Sequence, residues 1–488
     1  MMDDSKVKQP SPAPPTVEIL EEVPLKIDRP LTLLKGRAYA AAWLYIRVTT
    51  TEKLGADGKV VKLRKPKIEN KRKLTIIRDD GEIFDGEQRL EGTQSNILGI
   101  DVDLPVIPPE DKIWSSRGAK SYLKGYRPTP SKVFGSIIDV IDRFIDFDHS
   151  LGDQKTMAEM IACYIMATWF LDAFNVIGFL WPNGAKGSGK TQLLVIISEL
   201  AYLGQLILLG GSYASLRDMA DYGATLAFDD AENLSDPKRT DPDKRSLLLA
   251  GNRRGNTVPV KEPVAKRGWR IRYVNTFCPR VFSAIGLPDP TLASRTITIP
   301  LIRTPDKYRA NADPSDHDLW PCDKGELVDD LWALGLTHLS ELSQHERLVN
   351  ERARLNGRNL EPWRAILAVA LWLEDNGCPG LWEKMEQLSW RYHTEEQPGL
   401  QTADLTYLTI RALLNCAISA NKANGAINTE WFFPTSLITQ KVKKVAEDDE
   451  VDIDTSNITL IKVCLSLVLL HLGIVPQKYL YIKNMITK

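Results

Sequence analysis

The residues with the plainest chemical capacity in this chain run from Gly184 to Thr191 and read GAKGSGKT. Gly184, Gly187 and Gly189 permit the backbone angles and close approach a loop needs if its N–H groups are to converge on an anion. A short apolar run, VIGFLWP (176–182), precedes the loop, and the apolar stretch QLLVIISELAYL follows it. That spacing predicts strand, loop and helix in order, with the partial positive charge of the helix N-terminus at the same point. In such a setting Lys190 reaches the β- and γ-phosphates of ATP, and the Thr191 hydroxyl coordinates Mg²⁺. Ala185, Lys186, Ser188 and Gln192 complete the expected phosphate surround. The competing reading is a glycine-rich turn that happens to end in Lys-Thr.

Hydrolysis at such a loop needs an acid on a neighbouring strand. ATLAFDDAENL (224–234) ends an apolar run in Asp229, 39 residues after Lys190, and Asp229 would hold Mg²⁺ through water. The position that polarises attacking water carries Asp230, one methylene shorter than Glu, with Glu232 two residues on; either acid could serve. NTFCPRVFSAIGLP (275–288) reads as a further buried strand with Ser283 near its end, placed to contact a γ-phosphate or the lytic water. Asn275 and Thr276 precede it and are weaker candidates. In ASRTITIPLIR (293–303), Arg295 stands just before a last core strand, where a guanidinium could stabilise transition-state charge on a neighbouring subunit's nucleotide, or form a surface ion pair.

These residues need an α/β core to hold them, and the flanking sequence predicts more than that. At 488 residues the chain is too long for one core; its 43% hydrophobic and 26% charged content fits a folded protein with several domains. Residues 1–22 read as a disordered tail without the apolar core of a secretory signal. Residues 23–125 read as a β-rich domain, with strands AYAAAWLYIRV (38–48) and KLTIIRDDGEIF (73–84). Between these strands, GKVVKLRKPKIENKRK (58–73) reads as a solvated hairpin or loop, with a nucleic-acid contact as the alternative. A helical connector (126–175), the core (176–310) and a helical lid (311–425) follow, then residues 426–488. The run 160–182 is membrane-like, but Asp172 and Asn175 interrupt it, so a buried helix leading into a buried strand is preferred. Six scattered cysteines without a CxxC pair argue against structural zinc and for a reducing, cytoplasmic setting.

The order GAKGSGKT, LAFDDAENL, LLLAGNRRGNTVPV, FCPRVFSAIGLPDPTLASRTITIPLIR and LNGRNLEPWRAILAVALWL resembles the AAA+-like ATPase domain of plasmid- and phage-borne primase-helicases. That domain is distantly like the superfamily three helicases. The resemblance covers roughly 131–488. It implies an α/β P-loop NTPase core with a helical lid and a C-terminal winged-helix-like module at ITLIKVCLSLVLLHLGIVPQKY. It further implies a hexameric ring working on DNA in the replication of a mobile or viral-type element, with a primase or another replication protein as partner. Arg295 matches the arginine of the family's aspartate-arginine pair, although Ser294 stands where the family has aspartate. Arg358 matches a lid arginine, with Arg364 in reserve. Asp230 replaces the family's glutamate. No primase signature precedes residue 131, so priming is not expected.

The stretch GNRRGNTVPVKEPVAKRGWRIR (251–272) holds seven arginines and lysines and one glutamate, in a chain of formal net charge −1. In ring helicases of this kind the interval carries a β-hairpin that projects into the pore. TVPV and WRIRYV can form its arms, with Lys261 to Arg267 as the tip and Gly268 relieving it. Arg253, Arg254, Lys261, Lys266, Arg267 and Arg270 are the expected DNA contacts; Trp269 could stack on a base or pack against the core. A non-translocating ATP switch, such as a loader, origin-binding or regulatory scaffold, is the alternative to a motor. A small-molecule kinase fits poorly, because it needs neither a long helical lid nor a basic insert.

Overall fold

The computed structural model describes residues 25–54, 60–85, 100–102, 104, 108–208, 212–231, 242–264, 268–396, 412–413, 415–416, 419, 430–433, 435–448 and 480–483. Outside them lie the expected tail, Glu232, Lys266, Arg267, Cys464 and the stretch 458–479 assigned to a winged helix. The chain divides into two compact units: residues 1–127 with 328–340, and residues 128–327 with 341–488.

In the first unit, the strands Leu31–Leu34, Arg37–Leu54, Val60–Arg78 and Ile83–Asp85 form one antiparallel sheet in sequence order. Ile27, Tyr39, Ala41, Ile76 and Phe84 make its core. Of the two forms expected for the basic stretch, hairpin or loop, its described residues take the hairpin. From Val60 it forms most of a 19-residue strand that pairs with Arg37–Leu54 from Arg78 to Lys67 and again from Lys62 to Val60, with an irregularity between Thr50 and Glu52 where residues 63–66 have no register partner. On either side of that irregularity the backbones pair whatever the side chains, so the polar outer part remains strand where an apolar alternation would not predict one.

In the second unit, five parallel strands stand in the order Thr296–Pro300, Phe179–Asn183, Arg280–Phe282, Leu226–Asp229, Gln205–Leu208. The result is a mixed α/β architecture whose central strands are buried on both faces, which explains their continuous apolar runs. The helix Gln154–Trp169, capped by Asp153 accepting from Thr156 N, is buried on nearly every side. The two residues that break the 160–182 run are used internally. Asp172 accepts from Arg254, and Asn175 bonds Glu346 through both its N–H and its amide. Among the described residues no helix is long and apolar enough to cross a membrane. Later in sequence come the helix Lys324–Arg352, whose residues 328–340 belong to the first unit, and the helices Arg364–Asp375 and Leu381–Arg391 of the second. Near the C-terminus the helix Thr435–Asp448 accompanies an antiparallel pair, Glu430–Phe433 with Leu480–Lys483.

Candidate phosphate-binding site

The loop 184–189 leaves the C-terminal end of the strand Phe179–Asn183 and enters the helix Lys190–Leu200. Gly187 and Gly189 have φ of 81° and 88°, the left-handed region that a side chain would strain. Gly184 is required for another reason: a Cβ there would lie 2.5 Å from Leu301 O and 2.6 Å from Ser188 Oγ. Lys190 curls back over the loop, donating from Nζ to Gly184 O at 2.6 Å and Ala185 O at 3.2 Å. The Ser188 hydroxyl is buried and has no protein partner, an orphaned donor in the cradle itself. Gln192 donates to Ala312 O at 2.9 Å.

Three segments meet at Asp229. Its Oδ2 accepts from Thr191 Oγ1 at 2.9 Å, and its Oδ1 accepts from Ser283 Oγ at 2.5 Å. The sheet order explains this meeting. The Arg280–Phe282 strand lies between Phe179–Asn183 and Leu226–Asp229, so Ser283 emerges between the loop and the acid. The backbone locks it there: Ser283 N donates to Phe228 O, and Ala231 N donates to Ser283 O. Asp230 ends the strand in a left-handed turn, φ 52°, and is exposed. Asp tolerates that conformation better than most residues. Asn275 and Thr276 have structural partners instead; Asn275 N donates to Asp221, and the Thr276 hydroxyl donates to Asn256 O.

A residue absent from the sequence-based candidates also touches the loop. Arg303 Nη2 donates to Lys186 O at 2.8 Å, and its guanidinium lies against Gly187. The signal is in the register: Pro300 pairs with Asn183, so residues 301–303 must run beside the loop. That signal is readable only once the Thr296–Pro300 strand is known to neighbour the loop strand. Asn183, the last strand residue, donates to the carbonyls of Ala284, Ile285 and Gly286 and holds the segment after Ser283 against the loop strand.

Arg295, Arg358 and Arg253, assigned to three different tasks from sequence, form one cluster. Arg295 donates to Thr291 O at 3.2 Å, Arg358 donates to Ser294 Oγ at 3.1 Å, and Arg253 pairs with Glu361. Burial holds the Arg295 guanidinium below its ordinary range, and the charge of Arg358 adds to the effect. Ser294, standing where an acid was expected, is thus the contact through which Arg358 reaches the segment of Arg295. Arg364 lies apart, near Glu346.

The basic stretch does form a hairpin, but the arms are longer than expected. Thr257–Val264 pairs with Gly268–Asn275, from Thr257↔Asn275 to Val264↔Gly268. Lys261 therefore sits mid-arm opposite Ile271, not at the tip. Pro259 and Pro263 are tolerated because both fall on the same alternate positions, where the missing N–H would point away from the partner strand. The two faces differ. Glu262 pairs with Arg270 and Arg272, and Arg272 also reaches Asp221. The other face exposes Trp269 (62%), Ile271 (64%) and Tyr273 (68%), with Lys261 Nζ 5.2 Å from the Trp269 ring centroid. Trp269 does not pack into the core. Arg253 and Arg254 precede the arms; Arg254 donates to Leu171 O, Phe174 O and Asp172.

No family model matches the chain, and neither does any curated protein sequence. Among solved structures, the chain is similar to one described as "SCCmec type IV Cch - active helicase", at 12% identity and a TM-score of 0.39, over 93% of this chain and 97% of that one. It is also similar to the apo C-terminal region of NrS-1, at 11% identity and a TM-score of 0.26, over 64% and 69% of the two chains. Neither score establishes a shared fold.

Proposed function

We propose that this chain is an ATP-dependent DNA helicase or translocase acting in the cytoplasm in the replication of a mobile or viral-type element, and that it works as a homohexameric ring. The supporting observation is the convergence of Thr191 and Ser283 on the two oxygens of Asp229 beside a glycine loop with an orphaned buried hydroxyl. Thr191 and Asp229 are the oxygen donors that fit Mg²⁺, a hard cation that keeps most of its ligands from water and phosphate. When bound, Mg²⁺ supplies charge neutralisation for the terminal phosphates. Lys190 leaves its loop carbonyls for the phosphates, the Ser188 hydroxyl and the loop N–H groups of 184–192 bind them, and Ser283 positions the γ-phosphate or the attacking water. Asp230 or Glu232 takes the proton of that water. Arg295, with Arg358 behind it, meets the nucleotide of the adjacent subunit. The hairpin bearing Lys261, Lys266, Arg267 and Trp269 contacts DNA, with a primase or other replication protein as a further partner.

The deciding test is strand displacement on a forked duplex with ATP, beside a Lys190→Ala control. Unwinding that disappears in the variant supports a motor. A turnover rate indifferent to DNA and to assembly rules the motor out. DNA-stimulated hydrolysis without unwinding favours a non-translocating switch, the reading that the short side chain of Asp230 keeps in play.

A further inference from the structure

The antiparallel sheet of the first unit continues outward as a two-stranded ribbon. Beyond Tyr45 on one arm and Lys73 on the other the strands remain paired, while most of their side chains face solvent. The arm from Tyr45 to Leu54 spans about 30 Å at ~3.3 Å per residue, close to the ~34 Å turn of duplex DNA. Val60–Lys73 carries seven lysines and arginines against one acid, Glu69. On the sheet side of the irregularity the register places four of them, and Arg47 of the other arm, on two faces, whereas Arg64 and Lys65 lie within the irregularity. Arg72, opposite Tyr45, and Arg47, opposite Asn70, share one face; Lys67, Lys71 and Lys73, opposite Thr50, Ile46 and Leu44, share the other.

We propose that this ribbon is a binding arm for duplex DNA that lies in the major groove, its two basic faces toward the phosphate strands on either side. A groove about 12 Å wide admits a two-stranded ribbon, and a ribbon charged on one face alone would reach only one wall. Its chemistry does not suit a single strand, which needs aromatic platforms: between residues 45 and 73 the sequence has one aromatic, Tyr45, and that ring already lies 5.9 Å from the Arg72 guanidinium. Nor does it suit a lipid surface, which needs apolar and charged groups on opposite faces. The exposed Ile68 shares its face with Arg72 and stands in sequence between Lys67 and Glu69.

Duplex binding here needs neither nucleotide nor the hairpin 257–275, so it stands or falls separately from the motor. The test is fluorescence anisotropy of the full chain with a labelled duplex of about two helical turns (~20 base pairs), without ATP, over a salt series. Replacing Lys62, Arg64, Lys65 and Lys67 together with Ala should weaken binding at least tenfold. The log–log salt slope should become shallower by about 0.9 for each phosphate that the variant no longer neutralises. Lys190→Ala should bind like the wild type. Exchanging the three lysines for Arg should retain binding, and the unchanged melting temperature of the Ala variant would exclude misfolding. Three results overturn the assignment: wild-type duplex affinity in the Ala variant, a loss of affinity for an oligo-dT strand of equal length in that variant that exceeds its loss for duplex, or a loss of binding to phosphatidylserine vesicles in that variant with duplex binding intact.

Discussion

At the scale of residues, the proposed chemistry rests on Asp229, whose two oxygens accept from Thr191 and Ser283. Removing the charge while keeping the shape should separate binding from chemistry. Asp229→Asn is expected to retain a fluorescent ATP analogue and to lower the steady-state release of phosphate about 10²-fold, the size typical for one preorganised electrostatic group. Wild-type turnover in that variant would remove Asp229 from the mechanism. Arg303 presents a different case, because it supports the loop by one hydrogen bond to Lys186 O from an exposed position. A single such bond is worth about 0.5–1.5 kcal/mol, so Arg303→Ala should raise KM for ATP by roughly 2- to 12-fold and leave the melting temperature unmoved. If kcat falls instead with KM constant, the guanidinium acts on the transition state and not on the loop.

At the scale of elements, close approach governs where the segments can go. Gly251 ends the helix Pro242–Ala250 directly over the fully buried Arg280, whose guanidinium donates to Leu248 O and Thr276 O. A Cβ at 251 would stand 1.8 Å from Arg280 Nη1. Gly251→Ala is therefore expected to destabilise by at least the ~1–3 kcal/mol of an overpacked core, read as a lower denaturant midpoint. An unchanged midpoint would mean that the helix can slide aside freely. The hairpin carries a prediction of its own. Its outward face offers Trp269 and Tyr273, while Arg270 and Arg272 are tied to Glu262. Trp269→Ala should weaken single-strand binding and DNA-stimulated turnover by the ~1–3 kcal/mol of one stacked base, and basal hydrolysis should stay as it was. A variant lacking Lys261, Lys266 and Arg267 should show the same pattern with a flatter salt response.

For the whole molecule, a formal charge of −1 conceals strong local segregation: seven basic residues in the ribbon strand 60–73 and seven more in 251–272. If the arginine cluster serves an adjacent subunit, Arg295→Ala should lose ATP hydrolysis yet still bind nucleotide, and mixing it with Lys190→Ala should restore part of the rate, measured as phosphate release against mixing ratio. No recovery at any ratio would argue that each site is complete within one chain. Much of this was legible in the sequence, because local patterns report local facts. The GAKGSGKT loop, the apolar run ending at Asp229 and the position of Ser283 are set by residue type and spacing within a few turns of chain. The outer ribbon was legible only as one of two forms, a solvated hairpin or a loop, because polar side chains on both faces erase the alternation by which a strand is recognised. Arg303 beside the loop, and Arg253, Arg295 and Arg358 in one cluster around Glu361, were not legible either. Those neighbours are separated by tens to more than a hundred residues, and only the strand order decides which edges meet. Sequence by itself determined the chemistry available and the elements that carry it; the tertiary structure decided which of those groups share a site, because a hydrogen bond or an ion pair depends on distance in space and not on distance along the chain.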